Sequence, residues 1–260
     1  TIRIIMGVFP PDSGKVLMDG QPIHRDRVNI GYLPEERGLY PKKPILEQLI
    51  YFAELRGIGR KQAKDTAVHW LNRLEMGEYL NKRLDTLSKG NQQKIQLAAT
   101  LISNPDFVIL DEPFSGLDPV NAMLLKDVVK ELIGAGKIVL FSSHQMNYVE
   151  EFCDSIAILN QGNIVLSGNI KEIKRSYDRS KIVVASSQNS QISTFCTERL
   201  SDIVECSGEQ GGELKIKMKS ADQKGALISA LAEQGFDLDS VRVFEPSLND
   251  IFVEYTEDAI

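Results

Sequence analysis

Residues 107–113, Phe-Val-Ile-Leu-Asp-Glu-Pro, decide the fold. Four consecutive apolar residues are typical of a strand buried on both faces of a parallel sheet. Asp111 and Glu112 then fall at the carboxyl end of that strand, the edge where open α/β sheets bind ligands. One carboxylate there can hold Mg²⁺, and the other can polarise a water molecule for attack on phosphorus. The alternative is that Asp-Glu-Pro only ends a strand and starts a turn.

Two further apolar runs, IVLF at 138–141 and IAIL at 156–159, have the same character. Helical patterns at about 120–134 and 145–152 separate the three runs. Alternation of strand and helix at this spacing predicts βαβ units, with all three runs in one parallel sheet. The segment ILNQGNIVLSG (158–168) also predicts a hairpin around Gly162 that closes this region.

The segments before this sheet are mixed. Residues 15–23 predict two short strands around Asp19-Gly20, and residues 28–36 predict a strand that ends at Pro34. Helical patterns follow, and we expect Gly57 and Gly77 to cap the first two helices. A third helix is predicted at about 91–103.

The last third of the chain has a different pattern. Residues 181–245 predict the order β, α, β, β, α, β, which is the split βαβ arrangement, and residues 247–256 predict a terminal helix. The polar break at 175–180 predicts a domain boundary.

Two more segments are candidates for phosphate chemistry. Ser88, Lys89, Gly90 and Asn91 precede a helix, where free N–H groups and the positive dipole end attract anions, although Ser88 would serve equally as an ordinary N-cap. His144 follows the second apolar run and could bind a γ-phosphate oxygen. A lone histidine at a strand end is also common without any such role.

The order of these segments resembles the ABC ATPase family. LSKGN (87–91) looks like its signature motif, FVILDEP its Walker B strand, SGLD (115–118) its D-loop, and His144 its switch histidine. The resemblance implies a P-loop NTPase-like α/β core at 1–175 with a mainly parallel sheet. It also implies a helical subdomain at about 40–104, followed by an α+β, ferredoxin-like domain at 180–260.

The resemblance also implies a role for each motif. Asp111 would hold Mg²⁺, Glu112 would be the general base and His144 would contact the γ-phosphate. Glu35 stands where the family usually has a glutamine that contacts Mg²⁺ or water, so its role is open. In a head-to-tail dimer with ATP at the interface, five residues would face the second subunit: Ser88, Lys89, Gly90, Asn91 and Asp118.

One motif of the family is absent from the 260 residues. No GxxxxGK[ST] occurs, and this motif supplies the backbone cradle and the lysine for phosphates. The opening TIRIIMG resembles the helix that directly follows that loop, so we expect a chain truncated at or before the Walker A loop. We expect it to bind ATP poorly by itself.

The resemblance within the family is to bacterial ABC-2 type exporters such as sodium-efflux ATP-binding proteins, on GYLPEERGLY and the C-terminal unit. It implies a transmembrane permease partner and a cytoplasmic location on the inner face of the membrane. The net charge of −6 argues against nucleic acid. A soluble ABC ATPase and a non-catalytic fragment that docks on a permease stay open as alternatives. The C-terminal domain is either regulatory, supporting the dimer, or a stabilising extension.

Overall fold

The computed structural model describes residues 1–23, 28–36 and 38–257. The chain forms two compact units, Thr1–Phe152 and Cys153–Ile260. The sequence-predicted boundary at 175–180 stays a prediction. In the structure, the segment just before it groups with the second unit, where the Asn160 side chain donates a hydrogen bond to the carbonyl of Tyr255.

The first unit contains a three-stranded parallel sheet with helices around it. Its elements are α1 (Ile2–Ile5), β1 (Leu17–Met18), β2 (Gln21–Pro22), β3 (Ile30–Leu33), α2 (Ile45–Leu55), α3 (Arg60–Arg73), α4 (Lys89–Leu101), β4 (Phe107–Asp111), α5 (Pro119–Gly134), β5 (Ile138–Ser142) and α6 (Met146–Phe152). Short 3₁₀ turns at Gly77–Tyr79 and Leu84–Thr86 connect α3 to α4. The sheet order is β3-β4-β5, and β1 pairs with β2 as a separate antiparallel ribbon.

Burial explains why β4 is central. Val108, Ile109 and Leu110 are fully buried, as expected for a strand covered on both faces. The packing of α4 against β3 is also close: a Cβ on Gly31 would lie 2.7 Å from the carbonyl oxygen of Thr100. This contact holds α4 directly against the sheet. An ion pair between Arg73 of α3 and Glu131 of α5 adds a surface link.

Two expectations about this region are wrong. The run IAIL does not join the parallel sheet, because its strand pairs instead with the next strand across the turn at Gln161-Gly162. The predicted hairpin around Gly162 is thereby confirmed. Gly77 does not cap α3, which ends at Arg73, because Glu75 adopts the left-handed conformation (φ 57°) that stops the helix. Gly77 instead sits against the side-chain oxygen of Asn72, where a Cβ would collide. Gly57, by contrast, has φ 81° just after α2, as predicted.

The second unit has an antiparallel hairpin and a four-stranded antiparallel sheet. Its elements are β6 (Ser155–Asn160), β7 (Asn163–Asn169), α7 (Ile170–Ser176), β8 (Lys181–Ala185), α8 (Asn189–Arg199), β9 (Val204–Gln210), β10 (Glu213–Met218), a 3₁₀ turn (Ala221–Gln223), α9 (Lys224–Glu233), β11 (Ser240–Val243) and α10 (Leu248–Glu257). The sheet order β11-β8-β10-β9 is that of a split βαβ unit, so the predicted ferredoxin-like topology is confirmed.

Candidate active site

The pairing of β4 with β5 brings the predicted catalytic residues together. The two strands run parallel with Asp111 opposite Ser142, so the residues that follow each strand leave the sheet at the same edge. The backbone N–H of Glu112 continues the pairing by donating to the carbonyl of Ser142 over 3.0 Å. The turns after β4 and β5 are therefore fixed to each other.

Glu112 and His144 are in direct contact. One carboxylate oxygen of Glu112, Oε1, lies 2.8 Å from the backbone N of His144 and 2.8 Å from its ring Nδ1. The other oxygen, Oε2, has a long contact of 3.4 Å from the hydroxyl of Ser143. The Glu112 side chain is 16% exposed and that of His144 71%. The carboxylate is thus held mainly through one oxygen, and the imidazole faces solvent.

The backbone of Glu112 is in an uncommon conformation. Its φ is 48°, in the left-handed region that non-glycine residues seldom adopt. Such a conformation costs free energy, about 1–3 kcal/mol, and persists only where the surroundings impose it. Here the bonds to Ser142 and His144 impose it.

Asp111 is held by two hydroxyl groups that the sequence did not single out. Ser142 Oγ donates to its Oδ1, and the Tyr32 hydroxyl lies 3.3 Å from its Oδ2. Burial raises the pKa of Tyr32, and the negative charge of Asp111 raises it further, so the phenol stays a donor. Ser142 belongs to none of the motifs, and Tyr32 lies in GYLPEERGLY, a stretch from which the sequence predicts no role for this tyrosine. The only sequence signal is their position near the ends of the strands that flank β4.

Glu35 lies in a bend after β3, and α4 holds this bend. The side-chain Nε2 of Gln96 donates to the carbonyls of Pro34 (3.0 Å) and Glu36 (3.2 Å), on either side of Glu35. The charge of Glu35 also raises the pKa of Tyr32, which places Glu35 within electrostatic reach of the hydroxyl that contacts Asp111.

Ser88 caps α4, as the sequence predicted. Its Oγ accepts a hydrogen bond from the backbone N of Asn91 over 3.3 Å. Lys89 is the exposed first residue of the helix, and no acidic residue lies in the first turn. This end of α4 therefore combines a helix N-terminus with a cation.

Asp118 caps α5, directly beside the start of α4. Its Oδ1 accepts from the backbone N of Asn121, which is the main reason that the pKa of Asp118 is lowered. The Asn121 side chain also approaches Gly90, where an added Cβ would lie 2.9 Å from Nδ2. The signature residues and the D-loop are neighbours within this chain.

Comparisons with known proteins find family matches in both parts of the chain and relatives that match nearly all of it. A family described as ABC transporter matches residues 1–115, and the C-terminal domain of DrrA1-3-like ATP-binding proteins matches residues 168–256. An uncharacterised ABC transporter ATP-binding protein of Alkalihalophilus pseudofirmus is 42% identical over 98% of this chain and 93% of its own length.

The chain belongs to the family of ABC transporter ATP-binding proteins. Another relative in this family, the linearmycin resistance ATP-binding protein LnrL of Bacillus subtilis, is 29% identical over 98% of this chain and 85% of its own length. A solved structure of an ATP-binding subunit of an ABC transporter superposes with a TM-score of 0.60, at 28% identity, over 67% of this chain and 74% of that one. The predicted family and the P-loop NTPase-like fold class are confirmed.

The donor set around Asp111 fits a magnesium ion of an ABC ATPase. Within the described residues, no cluster of three or more acidic, histidine or cysteine side chains is assembled to hold a metal. Mg²⁺ in nucleotide sites uses one or two carboxylates and otherwise phosphate and water oxygens, and a single carboxylate oriented by two hydroxyl donors, as at Asp111, matches that chemistry. None of the described helices combines the length and apolar character needed to cross a bilayer.

Proposed function

We propose that this ABC transporter ATP-binding protein hydrolyses ATP to drive export through a separate transmembrane permease. The contact between Glu112 and His144 at the carboxyl end of the parallel sheet carries the proposal. This contact supports a role for Glu112 as a general base, held next to His144 as the group that binds phosphate. The resistance function in the printed name of the relative LnrL favours export as the direction.

Glu112 is the proposed general base. Its Oε1 is occupied by the backbone N and ring Nδ1 of His144, so Oε2 is the oxygen left to take a proton from water. With Nδ1 donating to Glu112, the ring Nε2 of His144 is free to donate to a γ-phosphate oxygen when the imidazole is protonated. The pair thus holds the base and the phosphate contact in one unit.

Asp111 is the proposed ligand of Mg²⁺. The hydroxyls of Ser142 and Tyr32 hold its carboxylate in a fixed orientation at the sheet edge. When bound, Mg²⁺ would neutralise charge that develops on the phosphate oxygens. Glu35 lies in the neighbouring bend and is the second candidate for a contact to the ion or to water.

Ser88, Lys89, Gly90 and Asn91 are proposed to bind the ATP of a second subunit in a head-to-tail dimer. A cation at the first residue of a helix is unfavourable unless an anion approaches, because it adds to the positive end of the dipole. Lys89 is in that position. Asp118, next to Gly90 through Asn121, would lie at the same interface.

We also propose that the 260-residue chain by itself binds ATP weakly and hydrolyses very little. No GxxxxGK[ST] occurs in its sequence, so the usual phosphate cradle is not among these residues. For this chain alone, docking on the permease without catalysis is the second candidate function. Micromolar ATP binding by the chain in calorimetry would contradict the proposal. The permease would hold the protein at the cytoplasmic face of the membrane.

The test of the proposed function is Glu112→Gln in a version of the chain that carries a GxxxxGK[ST] loop, purified with its permease. ATP hydrolysis is expected to fall at least about 100-fold, while ATP affinity is kept and a nucleotide-bound dimer accumulates. The matched control is Glu198→Gln, an exposed carboxylate on α8, which should leave the rate unchanged. Equal rates in E112Q and the parent would refute Glu112 as the base.

A further inference from the structure

Gln96 is a buried polar residue that joins two distant parts of the chain. It lies in the middle of α4, is 3% exposed, and its Nε2 donates to the carbonyls of Pro34 and Glu36. These acceptors flank Glu35, about 60 residues earlier in the sequence. One helical turn further, Thr100 Oγ1 lies 3.1 Å from the carbonyl of Tyr32. Side chains of α4 therefore hold both the end of β3 and the bend after it.

Only the nitrogen of the Gln96 amide makes hydrogen bonds to the described residues. Its Oε1 is buried and has no hydrogen-bond partner among the described residues. A buried acceptor without a partner costs free energy, so packing alone would favour an apolar side chain here. The adjacent residues Ile95 and Leu97 are indeed apolar and buried. What the glutamine supplies is the pair of donors to the bend at Glu35.

The helix that carries Gln96 is the one that begins at the signature residues. Gln96 lies six positions after Gly90 in the same continuous helix, about 9 Å further along its axis. A helix of this length moves as a rigid body, so a displacement at its N-terminus is passed to the bend through Gln96.

We propose that Gln96 is a positioning residue that couples the signature end of α4 to Glu35. This inference rests on the proposed function, in which Ser88–Asn91 bind one nucleotide of the dimer and Glu35 serves the other. When the ATP held by the second subunit binds the N-terminus of α4, the helix moves. Glu35 then moves toward the Mg²⁺ and water at the ATP site of its own chain. Each ATP site thereby senses whether the other is occupied.

The first test measures the bend itself and needs no hydrolysis. Gln96→Met keeps the length and volume of the side chain and removes both donors, so folding is preserved. The matched control is Gln48→Met: Gln48 is also 3% exposed and also bridges a loop, accepting from the N of Tyr40 and donating to the carbonyl of Lys43. In the 260-residue chain, Q96M should speed backbone hydrogen exchange over residues 31–36 at least about threefold, and Q48M should not. Unchanged exchange in Q96M would overturn the positioning role.

The second test measures coupling to Glu35 in the chain that carries a GxxxxGK[ST] loop, purified with its permease. Q96M should lower kcat about tenfold with little change in the KM for ATP, because misplacement affects the reacting step more than binding. In a Glu35→Ala background, which removes the side chain at this position, the same change should lower kcat less than about twofold, since the group through which it acts is already absent. Equal losses in both backgrounds would show that Gln96 does not act through Glu35. The E112Q experiment tests the proposed function separately. The hydrogen-exchange result for Q96M does not depend on hydrolysis, so it tests the contact to the bend even if E112Q refutes the proposed function.

Discussion

The ring Nδ1 of His144 and its own backbone N each lie 2.8 Å from the same oxygen of Glu112. This double contact makes His144 the main support of the carboxylate, with the imidazole supplying one of the two contacts. The two residues come from the ends of neighbouring strands, so the geometry of the pair depends on the parallel register of β4 and β5. Loss of the imidazole should therefore affect both the phosphate contact and the orientation of the base.

His144→Ala is expected to lower ATP hydrolysis at least about 100-fold in the chain that carries a GxxxxGK[ST] loop, purified with its permease, through these two effects together. Thermal stability should hardly change, because the side chain is 71% exposed. His69→Ala, a change at an exposed histidine of α3, is the control for rate and melting temperature. A rate for H144A close to that of H69A would contradict the assigned role.

Gly31→Ala is expected to destabilise the first unit by about 2 kcal/mol. The new Cβ would meet the backbone oxygen of Thr100 at 2.7 Å and Pro105 Cγ at 2.8 Å, and neither can move without shifting α4. Gly208→Ala in β9 is the matched control, because nothing lies within 4 Å of its Cβ position. Urea unfolding of both variants measures the difference. A G31A midpoint equal to that of G208A would mean that α4 is less tightly packed on β3 than described.

Asp250→Ala is expected to cost about 1 kcal/mol at pH 7, through loss of a reciprocal cap at the start of α10. Asp250 Oδ2 accepts from the N of Ser247 over 2.9 Å, while Ser247 Oγ accepts from the N of Asp250. The Ser247 hydroxyl, more than the backbone bond, lowers the pKa of Asp250.

Because the pKa of Asp250 is lower in the folded state, its contribution is complete above the unfolded pKa of about 4. The contribution is lost as the pH falls through the folded value. The stability gap between D250A and the parent should therefore close in acid, as followed by urea titrations from pH 7 downward. Asp202→Ala, at an exposed turn, is the control. A gap that does not depend on pH would exclude the charged cap.

The three free cysteines should react with iodoacetamide in the order of their exposure. Cys206 is exposed, Cys153 is intermediate and Cys196 is fully buried. Burial raises the pKa of Cys196 to about 11, so little thiolate forms at neutral pH. Mass spectrometry of the native protein at pH 7.5 should show Cys196 modified at least about tenfold more slowly than Cys206. Denaturant should abolish the difference, and early modification of Cys196 would show that the second unit opens readily.

The motifs could be located from the sequence because each is local. A buried strand that ends in Asp111-Glu112, and a helix that opens at Ser88, are visible in short windows. Pairing between strands is less local: the composition of the run IAIL suits a parallel neighbour as well as a hairpin, and of these two predictions only the hairpin at Gly162 is confirmed. The support of Asp111 by Tyr32 and Ser142 was missed for the same reason, since it depends on strand register.

Among the described residues, the non-glycine positions with positive φ are Asp19, Glu75, Asn104, Glu112 and Gln161. The other four lie in or next to turns, where a positive φ lets the backbone change direction. Glu112 instead follows a buried strand and bonds a histidine. A glycine would relieve the backbone strain at this position but would remove the carboxylate. The positive φ of Glu112 therefore lowers the thermodynamic stability of the chain at the residue that is proposed to take the proton.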